Sequence, residues 1–217
     1  MKKSILSVCI IAIISFTAFN CKDKAKEAQT SEAEIVEVAQ VSSEKYTVNL
    51  DESSIHWQGF KPTGKHNGTI NLTNGSIDVT AEKISGGNFT IDMNSIVVLD
   101  IPAEKKGNAK LTGHLKSPDF FDTETFPNAT FEITGLEEVE GKTMLSGNLT
   151  LKDRTNNVTF PVSISNENGT ISLTSETFTI DRSKWNVKHQ SKSFFDNLGD
   201  KFINDEIELK VSVKATK

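Results

Sequence analysis

The stretch GHLKSPDFFDTETFPNATF, Gly113–Phe131, combines chain-breaking residues with a strongly apolar composition. Pro118 and Pro127 each fix their own φ and disfavour the α conformation of the preceding residue, so we expect this segment to turn at least twice. It also contains four phenylalanines: Phe120, Phe121, Phe126 and Phe131. Surface loops are usually polar, whereas each phenylalanine buries roughly 150–250 Å² of surface. We therefore expect the segment to pack either over the end of an ordinary core or as the cap of an apolar cavity.

Outward from this stretch, apolar residues alternate with polar ones from Tyr46 almost to the C-terminus. Period-two alternation is typical of half-buried antiparallel strands, and the runs predict roughly eight to ten of them. Four turn sequences separate the runs: Asn74-Gly75, Glu140-Gly141, Asn156-Asn157 and Asn168-Gly169. Two further segments, Ala103–Leu115 and Ser191–Asp200, are each expected to hold a short helix.

The order of the elements leaves two architectures open. Many meandering strands without βαβ alternation indicate either a β-sandwich or an up-and-down barrel, and periodicity does not distinguish them. The composition favours a barrel with a cavity, because 13 phenylalanines stand against 1 tyrosine. Such an interior suits a long hydrocarbon better than a polar substrate.

The N-terminal segment has the pattern of an export signal. Two lysines precede an uncharged apolar run, residues 5–19, which is short for a membrane span and is followed by polar sequence. We therefore expect a signal peptide over residues 1–20. Cys21 then resembles the lipidated cysteine of bacterial lipoproteins, which predicts a membrane-anchored protein in the periplasm or at the cell surface. Ordinary signal cleavage is the alternative, because Phe19 and Asn20 are bulky for a lipidation site.

Composition limits the possible organisation of the chain after the signal peptide. Cys9 and Cys21 are the 2 cysteines, so the exported domain has no disulfide. Residues 21–44 are polar and contain no aromatic side chain, which predicts a flexible charged tether before one folded domain at 45–217.

The charge of the exported chain is negative. Removal of the signal peptide takes away two of the 24 basic residues, which leaves 22 basic against 29 acidic residues, a net charge of −7. This balance argues against nucleic acid as a partner. Oligomeric state is not fixed, and a homodimer remains open.

Several sequence blocks occur in an order shared with a known family. The longest is His114-Leu115-Lys116-Ser117 with Asp119-Phe120-Phe121-Asp122, followed by Phe126-Pro127 and Ala129-Thr130-Phe131. The others are Ser54–Trp57, Gly64–Gly68, Gly75–Ile77, Gly87–Met93, Gly147–Lys152 and Asp181–Val187. Together these blocks closely resemble the YceI-like polyisoprenoid-binding family, from about Tyr46 to Val213.

The resemblance implies an all-β fold, a lipocalin-like antiparallel up-and-down β-barrel of about eight strands with one or two short helices. It also implies an exported protein whose interior holds a polyisoprenoid or similar long amphiphilic lipid, with neither catalytic machinery nor a cofactor. Two departures from the family pattern concern the entrance of the cavity. The first hairpin is short, running directly from Lys65-His66 into Asn67-Gly68, and Asn186 stands where glycine is expected.

Candidate ligand contacts are the inward aromatic and long aliphatic positions, joined by His114, which opens the Phe-rich stretch and can hydrogen-bond a head group. They are Trp57, Phe89, Ile91, Met93, His114, Phe120, Phe121, Phe131, Leu149, Phe160, Phe178 and Trp185. Each position taken singly also fits ordinary core packing. Only the family resemblance favours ligand contact for the group as a whole. His56 alternates with two apolar residues and should point away from the interior.

No catalytic or metal-binding motif accompanies these positions. The histidines lack zinc-site spacing, there is no G-x-S-x-G sequence, and the folded domain has no cysteine nucleophile. Asp181 and Arg182 fit an ion pair that ties a loop to the barrel. Two alternatives stay open: a hydrolase or isomerase that uses His114 or Asp181 on a lipid or quinone, and a structural stress-response domain with a filled core.

Overall fold

The computed structural model describes residues 25–36 and 43–217, which form a single twelve-stranded sheet. The strands are β1 (Lys26–Glu27), β2 (Gln29–Glu32), β3 (Glu44–Val48), β4 (Ser54–Lys61), β5 (Gly64–Thr80), β6 (Lys83–Val98), β7 (Asn128–Val139), β8 (Lys142–Leu151), β9 (Arg154–Glu167), β10 (Thr170–Ser175), β11 (Phe178–Asp181) and β12 (Glu206–Thr216). An α-helix, α1 (Lys106–Lys116), and short 3-10 helices at Leu50–Glu52, Arg182–Trp185 and Gly199–Lys201 complete the described part. No helix within these ranges is both long and apolar enough to cross a membrane.

Eight of the strands close into a ring. It runs β4-β5-β6-β7-β8-β9-β10-β12 and returns to β4, and every neighbouring pair is antiparallel. β12 closes the ring because Ile207–Ser212 pair with β4 while Ser212–Thr216 pair with β10. The molecule is therefore the lipocalin-like up-and-down barrel that the family resemblance implied, and the sandwich alternative is wrong.

The N-terminal segment completes the barrel wall where β10 is short. β10 pairs with the second half of β9 and the second half of β12. β11 takes the place of β10 beside the first half of β12. β2 pairs with the first half of β9 and β1 pairs in parallel with β11, so residues 26–32 lie between these two strands. Between β1 and β2, Ala28 is buried and donates its N–H to the carbonyl of Thr179 at 2.8 Å.

The flexible tether expected at residues 21–44 is thus wrong for residues 26–32. Their backbone groups satisfy two strand edges that the eight-stranded ring leaves unpaired, which outweighs a composition typical of linkers. The predicted signal peptide, Cys21 and residues 37–42 of the tether lie outside the described residues.

Glycines on the strands make room for large rings in the interior. A Cβ atom on Gly147 of β8 would lie 2.2 Å from Cζ of Phe131 on the adjacent strand β7. A Cβ atom on Gly68 of β5 would lie 2.8 Å from the ring of Trp57 on β4. The two glycines therefore leave the space that the rings of Phe131 and Trp57 occupy beside the backbone.

A wide bulge in β6 shapes one end of the barrel. The register changes from Thr69 opposite Val97 to Asn71 opposite Asp92, so residues 93–96 of β6 lie opposite a single residue of β5. Asp92 stabilises this bulge, because its side chain accepts from the N–H of Asn94 and its carbonyl accepts from the hydroxyl of Ser95. Bulges re-aim side chains, and this one brings Met93 and Ile96 into the interior.

The two expected helices have different outcomes. The first is confirmed as α1, which ends within the Phe-rich stretch before Pro118. The second is wrong for residues 191–198, which form turns because the amides of Phe194 and Phe195 both bond the carbonyl of Ser191 and Asn197 then adopts φ 61°. A 3-10 helix begins only at Gly199.

Of the four expected turns, two are confirmed and two are wrong. Glu140-Gly141 and Asn168-Gly169 are confirmed as hairpin turns with positive φ at both residues. Asn74-Gly75 and Asn156-Asn157 lie inside β5 and β9, so those two predictions are wrong.

Candidate functional site

A cavity of about 470 Å³ lies at one end of the barrel. The end of β4, the start of β5, the β6 bulge, the end of β8 and the start of β12 form its wall, and α1 and the Phe-rich stretch cover it. We call this the cavity end; the β4–β5, β6–β7, β8–β9 and β11–β12 connections lie here. Lys61 and Lys110 line the cavity and are exposed, so it reaches solvent at this end.

A second, smaller cavity of about 90 Å³ lies deeper in the barrel. All the side chains around it are apolar. Four residues line both cavities: Ile55, Ile91, Leu149 and Leu209. The two spaces are therefore adjacent and form one apolar interior that narrows away from the cavity end.

Most of the candidate ligand contacts line one of these cavities. Those at the larger cavity are Trp57, Ile91, Met93, His114, Phe120, Phe121 and Leu149. Those at the smaller cavity are Phe89, Ile91, Phe131, Leu149, Phe160 and Phe178. Their contact with a ligand stays a prediction, but the fold brings all of them to a connected interior surface.

Four phenylalanines form a continuous aromatic row around the smaller cavity. Phe89 contacts Phe131, which contacts Phe160, with centroid distances of 6.3 and 5.9 Å. Phe160 stacks on Phe178 at 4.1 Å, with an angle of 4° between the ring planes. The row gives the narrow end of the interior a rigid apolar wall.

Trp185 lies apart from both cavities. Its side chain is fully buried, and Nε1 donates to the carbonyl oxygen of Leu149 at 2.9 Å. This bond ties the 3-10 helix after β11 to the end of β8. The position thus supports the cavity wall at Leu149 and lines neither cavity.

The larger cavity has a polar corner that sequence spacing did not reveal. His114 on α1 and His189 after the 3-10 helix meet edge to face, with ring centroids 4.6 Å apart. Asp119 lies 3.5 Å from Nε2 of His114 and 4.0 Å from Nδ1 of His189. Phe120 packs against both imidazoles. Imidazole nitrogens and a carboxylate oxygen within 4.8 Å of one another can hydrogen-bond a polar head group, and divalent transition metals accept the same donor types.

Arg182 forms the back of this corner. Its guanidinium is buried, lies 5.4 Å from the centroid of the Phe120 ring and forms an ion pair with Asp205 at 3.2 Å. It also donates to four backbone carbonyls, those of Val187, His189, Ile203 and Asn204. The expected loop-anchoring ion pair therefore involves Asp205; Asp181 instead accepts from the N–H of Ser183 at the start of the 3-10 helix.

Burial changes the titration of two groups in the corner. It lowers the pKa of His189, and the nearby His114 and Arg182 act in the same direction while Asp119 opposes them. Burial also lowers the pKa of Arg182, against the opposing effect of Asp205 and Asp181. His189 is therefore biased toward the neutral imidazole, which both donates and accepts a hydrogen bond.

Several residues of the cavity were not among the sequence-based candidates. His189, Gln190, Ile203 and Asn204 reach it from the long β11–β12 connection, and Lys61 and His66 from the β4–β5 hairpin. Period-two alternation does not extend into such loops, so no pattern marked these positions. The outward prediction for His56 is confirmed, since that side chain is exposed.

Comparison with known proteins identifies the family. The family model of the YceI-like domain matches residues 46–215. The chain belongs to the YceI-like domain family. No curated protein matches it by sequence.

Solved structures support the YceI-like fold. The crystal structure of Burkholderia cenocepacia BcnA has a TM-score of 0.61 at 22% identity, and the match covers 78% of this chain and 99% of that one. A polyisoprenoid binding domain from Saccharophagus degradans, implicated in plant cell wall breakdown, has a TM-score of 0.55 at 14% identity, with 79% and 97% covered. At these identities the likeness shows the fold.

One departure from the YceI-like pattern has a structural reason. Asn186, found where glycine was expected, ends the 3-10 helix with φ 61° and ψ 24°. This is the left-handed region, which asparagine tolerates better than other non-glycine residues. The substitution therefore preserves the backbone path into the β11–β12 connection.

Proposed function

We propose that this YceI-like protein binds one long apolar lipid of the polyisoprenoid class in its two adjacent cavities, and carries the lipid without reacting with it. The observation that carries this proposal is the cavity of about 470 Å³ inside a closed barrel, continued by a smaller and wholly apolar one. The description of the Saccharophagus degradans domain as polyisoprenoid binding supports the ligand class.

The dimensions and chemistry of the interior suit such a ligand. Sites for small organic molecules usually enclose about 300–1,000 Å³, and protein cores otherwise contain few voids larger than a water molecule. A structural domain with a filled core is therefore disfavoured. Each buried methylene stabilises a complex by roughly 0.8 kcal/mol, so a prenyl chain can bind tightly without a specific polar contact.

The polar corner suits the other end of the lipid. A chain lying along the barrel places its apolar tail against the phenylalanine row and its head group near His114, His189 and Asp119. The donors and acceptors of this corner fit a hydroxyl or a carbonyl equally well.

Export and membrane attachment form a second part of the proposal. The apolar run at residues 5–19 and Cys21 directly after it support signal cleavage and lipidation at that cysteine. We expect mass spectrometry of the protein from its own host to find an acylated N-terminal peptide that begins at Cys21. A mature N-terminus at any other residue would overturn this part and leave lipid binding intact.

Native mass spectrometry of protein purified from its own host tests the cargo. We expect a bound species that solvent extracts, with masses that differ by isoprene units. An apo mass, together with no uptake of added polyprenols, would contradict lipid binding.

A cavity-blocking variant makes this experiment specific. Leu149 lines both cavities, so Leu149→Trp should fill their junction and reduce the bound lipid at least about tenfold, by steric exclusion. Val139→Trp is the matched control, because Val139 is exposed at the opposite end of the barrel. Equal loss in both variants would mean that the bound lipid lies outside the cavities.

A further inference from the structure

We propose that the cavity end of the barrel docks onto an anionic lipid bilayer, with Leu99, Phe194 and Phe195 entering the interface. The purpose of docking is the exchange of cargo with the membrane, and this part of the inference rests on the proposed function. The docking itself is carried by the surface of the molecule and can be measured without any cargo.

Three large apolar side chains are exposed in the connections at the cavity end. The exposed fractions are 58% for Leu99, 42% for Phe194 and 48% for Phe195. Both segments that carry them flank the cavity. Leu99 bonds Asn67 through its N–H, next to His66 on the cavity wall, and the phenylalanines follow His189 and Gln190 in the β11–β12 connection.

Exposed apolar groups of this kind mark interaction sites, and aromatic rings favour the boundary between water and lipid. Around the opening of a lipid-sized cavity they are placed to enter that boundary. A ligand could then pass from bilayer to barrel without crossing water.

Charge is separated along the barrel in the direction that such docking requires. The segments at the cavity end are residues 60–66, 99–127, 151–154 and 182–205, which together hold 13 basic and 9 acidic residues, a net charge of +4. The other described residues hold 7 basic and 18 acidic residues, a net charge of −11. An anionic membrane surface attracts the cavity end and repels the rest of the barrel, which orients the molecule.

Lysines and aromatic rings are paired in the same connection. Nζ of Lys188 lies 5.1 Å from the centroid of the Phe194 ring, and Nζ of Lys192 lies 3.5 Å from that of Phe202. Lysine stems can lie along apolar surface while their ammonium groups stay in a polar layer. These pairs therefore present rings and cations together, as a bilayer interface with anionic head groups requires.

A bilayer fits this surface better than a second copy of the chain. A two-fold dimer through the cavity end would bring two surfaces of charge +4 together, and it would cover the cavity opening on both copies. An anionic bilayer instead complements the charge and supplies the class of ligand that the interior accepts.

Vesicle co-sedimentation tests the proposal. Residues 25–217, which contain every described strand and no lipidation site, are mixed with vesicles of phosphatidylcholine alone or with about one third phosphatidylglycerol. We expect the parent protein to bind the anionic vesicles at least about tenfold more strongly, with binding that weakens as salt is raised. Phe194→Ser with Phe195→Ser should remove most of this binding.

Val139→Ser is the matched control, since Val139 is 47% exposed at the opposite end. We expect it to bind vesicles like the parent protein, and circular dichroism and thermal unfolding establish that each variant is folded. Absence of parent binding to anionic vesicles, or equal binding by the folded double variant, overturns docking. A parent oligomer that the double variant dissociates, with vesicle binding unchanged, assigns the surface to a second copy and also overturns it.

Uptake of a fluorescent polyprenol analogue, added without vesicles, separates this inference from the proposed function. A protein that takes up the analogue but ignores vesicles keeps the proposed function and loses the docking surface. A protein that binds vesicles through Phe194 and Phe195 but takes up no analogue keeps the docking surface alone.

Discussion

The guanidinium of Arg182 lies 3.2 Å from the carboxylate of Asp205, and this pair joins the two ends of the β11–β12 connection. Asp205 also accepts hydrogen bonds from the hydroxyls of Ser191 and Ser193 at 2.8 and 2.7 Å. A loop that covers the cavity is therefore fixed at its base while its apolar tip remains exposed.

Replacement of Arg182 by methionine should destabilise the protein strongly. It removes the counter-charge of Asp205 and the donor to four backbone carbonyls, and removing one member of a buried ion pair typically costs about 3–5 kcal/mol. Urea unfolding measures the change. Arg154→Met is the control, because Arg154 is exposed at the same end and its loss should cost less than about 0.5 kcal/mol. Equal losses would show that the Arg182 network is not what stabilises the loop.

Replacement of Gly147 by alanine should disturb the narrow cavity. The new Cβ would lie 2.2 Å from Phe131, so that ring must move, and overpacking of this kind costs about 1–3 kcal/mol. Gly135→Ala on the neighbouring strand is the control, because nothing lies within 4 Å of its added Cβ. Thermal unfolding of both variants measures the difference in stability, and we expect a lower midpoint for Gly147→Ala than for Gly135→Ala. Equal midpoints would mean that Phe131 has free space to move into.

The barrel was predictable from sequence because its strands bury one face. Residues such as Leu145, Leu149 and Leu151 alternate with polar neighbours and prove to be the inner face of β8. Alternation alone did not distinguish a sandwich from a barrel, since closure depends on which strand β12 meets. That information lay in the family blocks and not in any local pattern.

The incorrect turn predictions have a common physical cause. Gly75 was taken as a turn residue, but it is small because Phe89 and Val48 lie 2.9 and 2.8 Å from where its Cβ would be. Asn157 was also predicted to be a turn residue, yet it is buried and donates to the side chains of Thr134 and Asn148. Turn propensity shares its residue types with close packing and with buried polar networks, and only tertiary structure separates these roles.

The polar corner was likewise beyond sequence reasoning. His114 was selected because it opens the Phe-rich stretch, while His189 lay in a loop before the segment Ser191–Asp200 and carried no pattern of its own. Their contact depends on the β11–β12 connection folding back under Arg182, and no spacing rule anticipates such a contact between distant segments.

His189 should make stability depend on pH below neutrality. Its pKa in the folded protein is lowered from the ordinary value of 6.5, chiefly by burial, so the unfolded chain binds more protons as the pH falls through that value. The free energy of unfolding should therefore decrease from pH 6.5 down to the folded-state pKa, and this loss should level off below it. Urea unfolding at a series of pH values, with His189→Asn beside the parent protein, measures the effect.

The matched control for that series is His56→Gln, which removes an exposed histidine outside the cavity. We expect it to keep the pH dependence of the parent, whereas His189→Asn should flatten it. Nuclear magnetic resonance titration of the His189 ring provides a direct value. A pKa at or above 6.5 would refute the explanation by burial.

The N-terminal strands should be required for a stable wall at the cavity end. A chain that begins at residue 43 lacks β1 and β2, which exposes the edges of β9 and β11 and should cost on the order of 2–4 kcal/mol in lost backbone hydrogen bonds. Ala28→Asp should reproduce much of this loss at full length, because Ala28 is buried, while Ser31→Asp on the exposed side should not. Hydrogen exchange locates the effect: amides at 156–159 of β9 and in β11 should lose protection first. Unchanged exchange there in the shortened chain would mean that residues 26–32 rest on a barrel already complete without them.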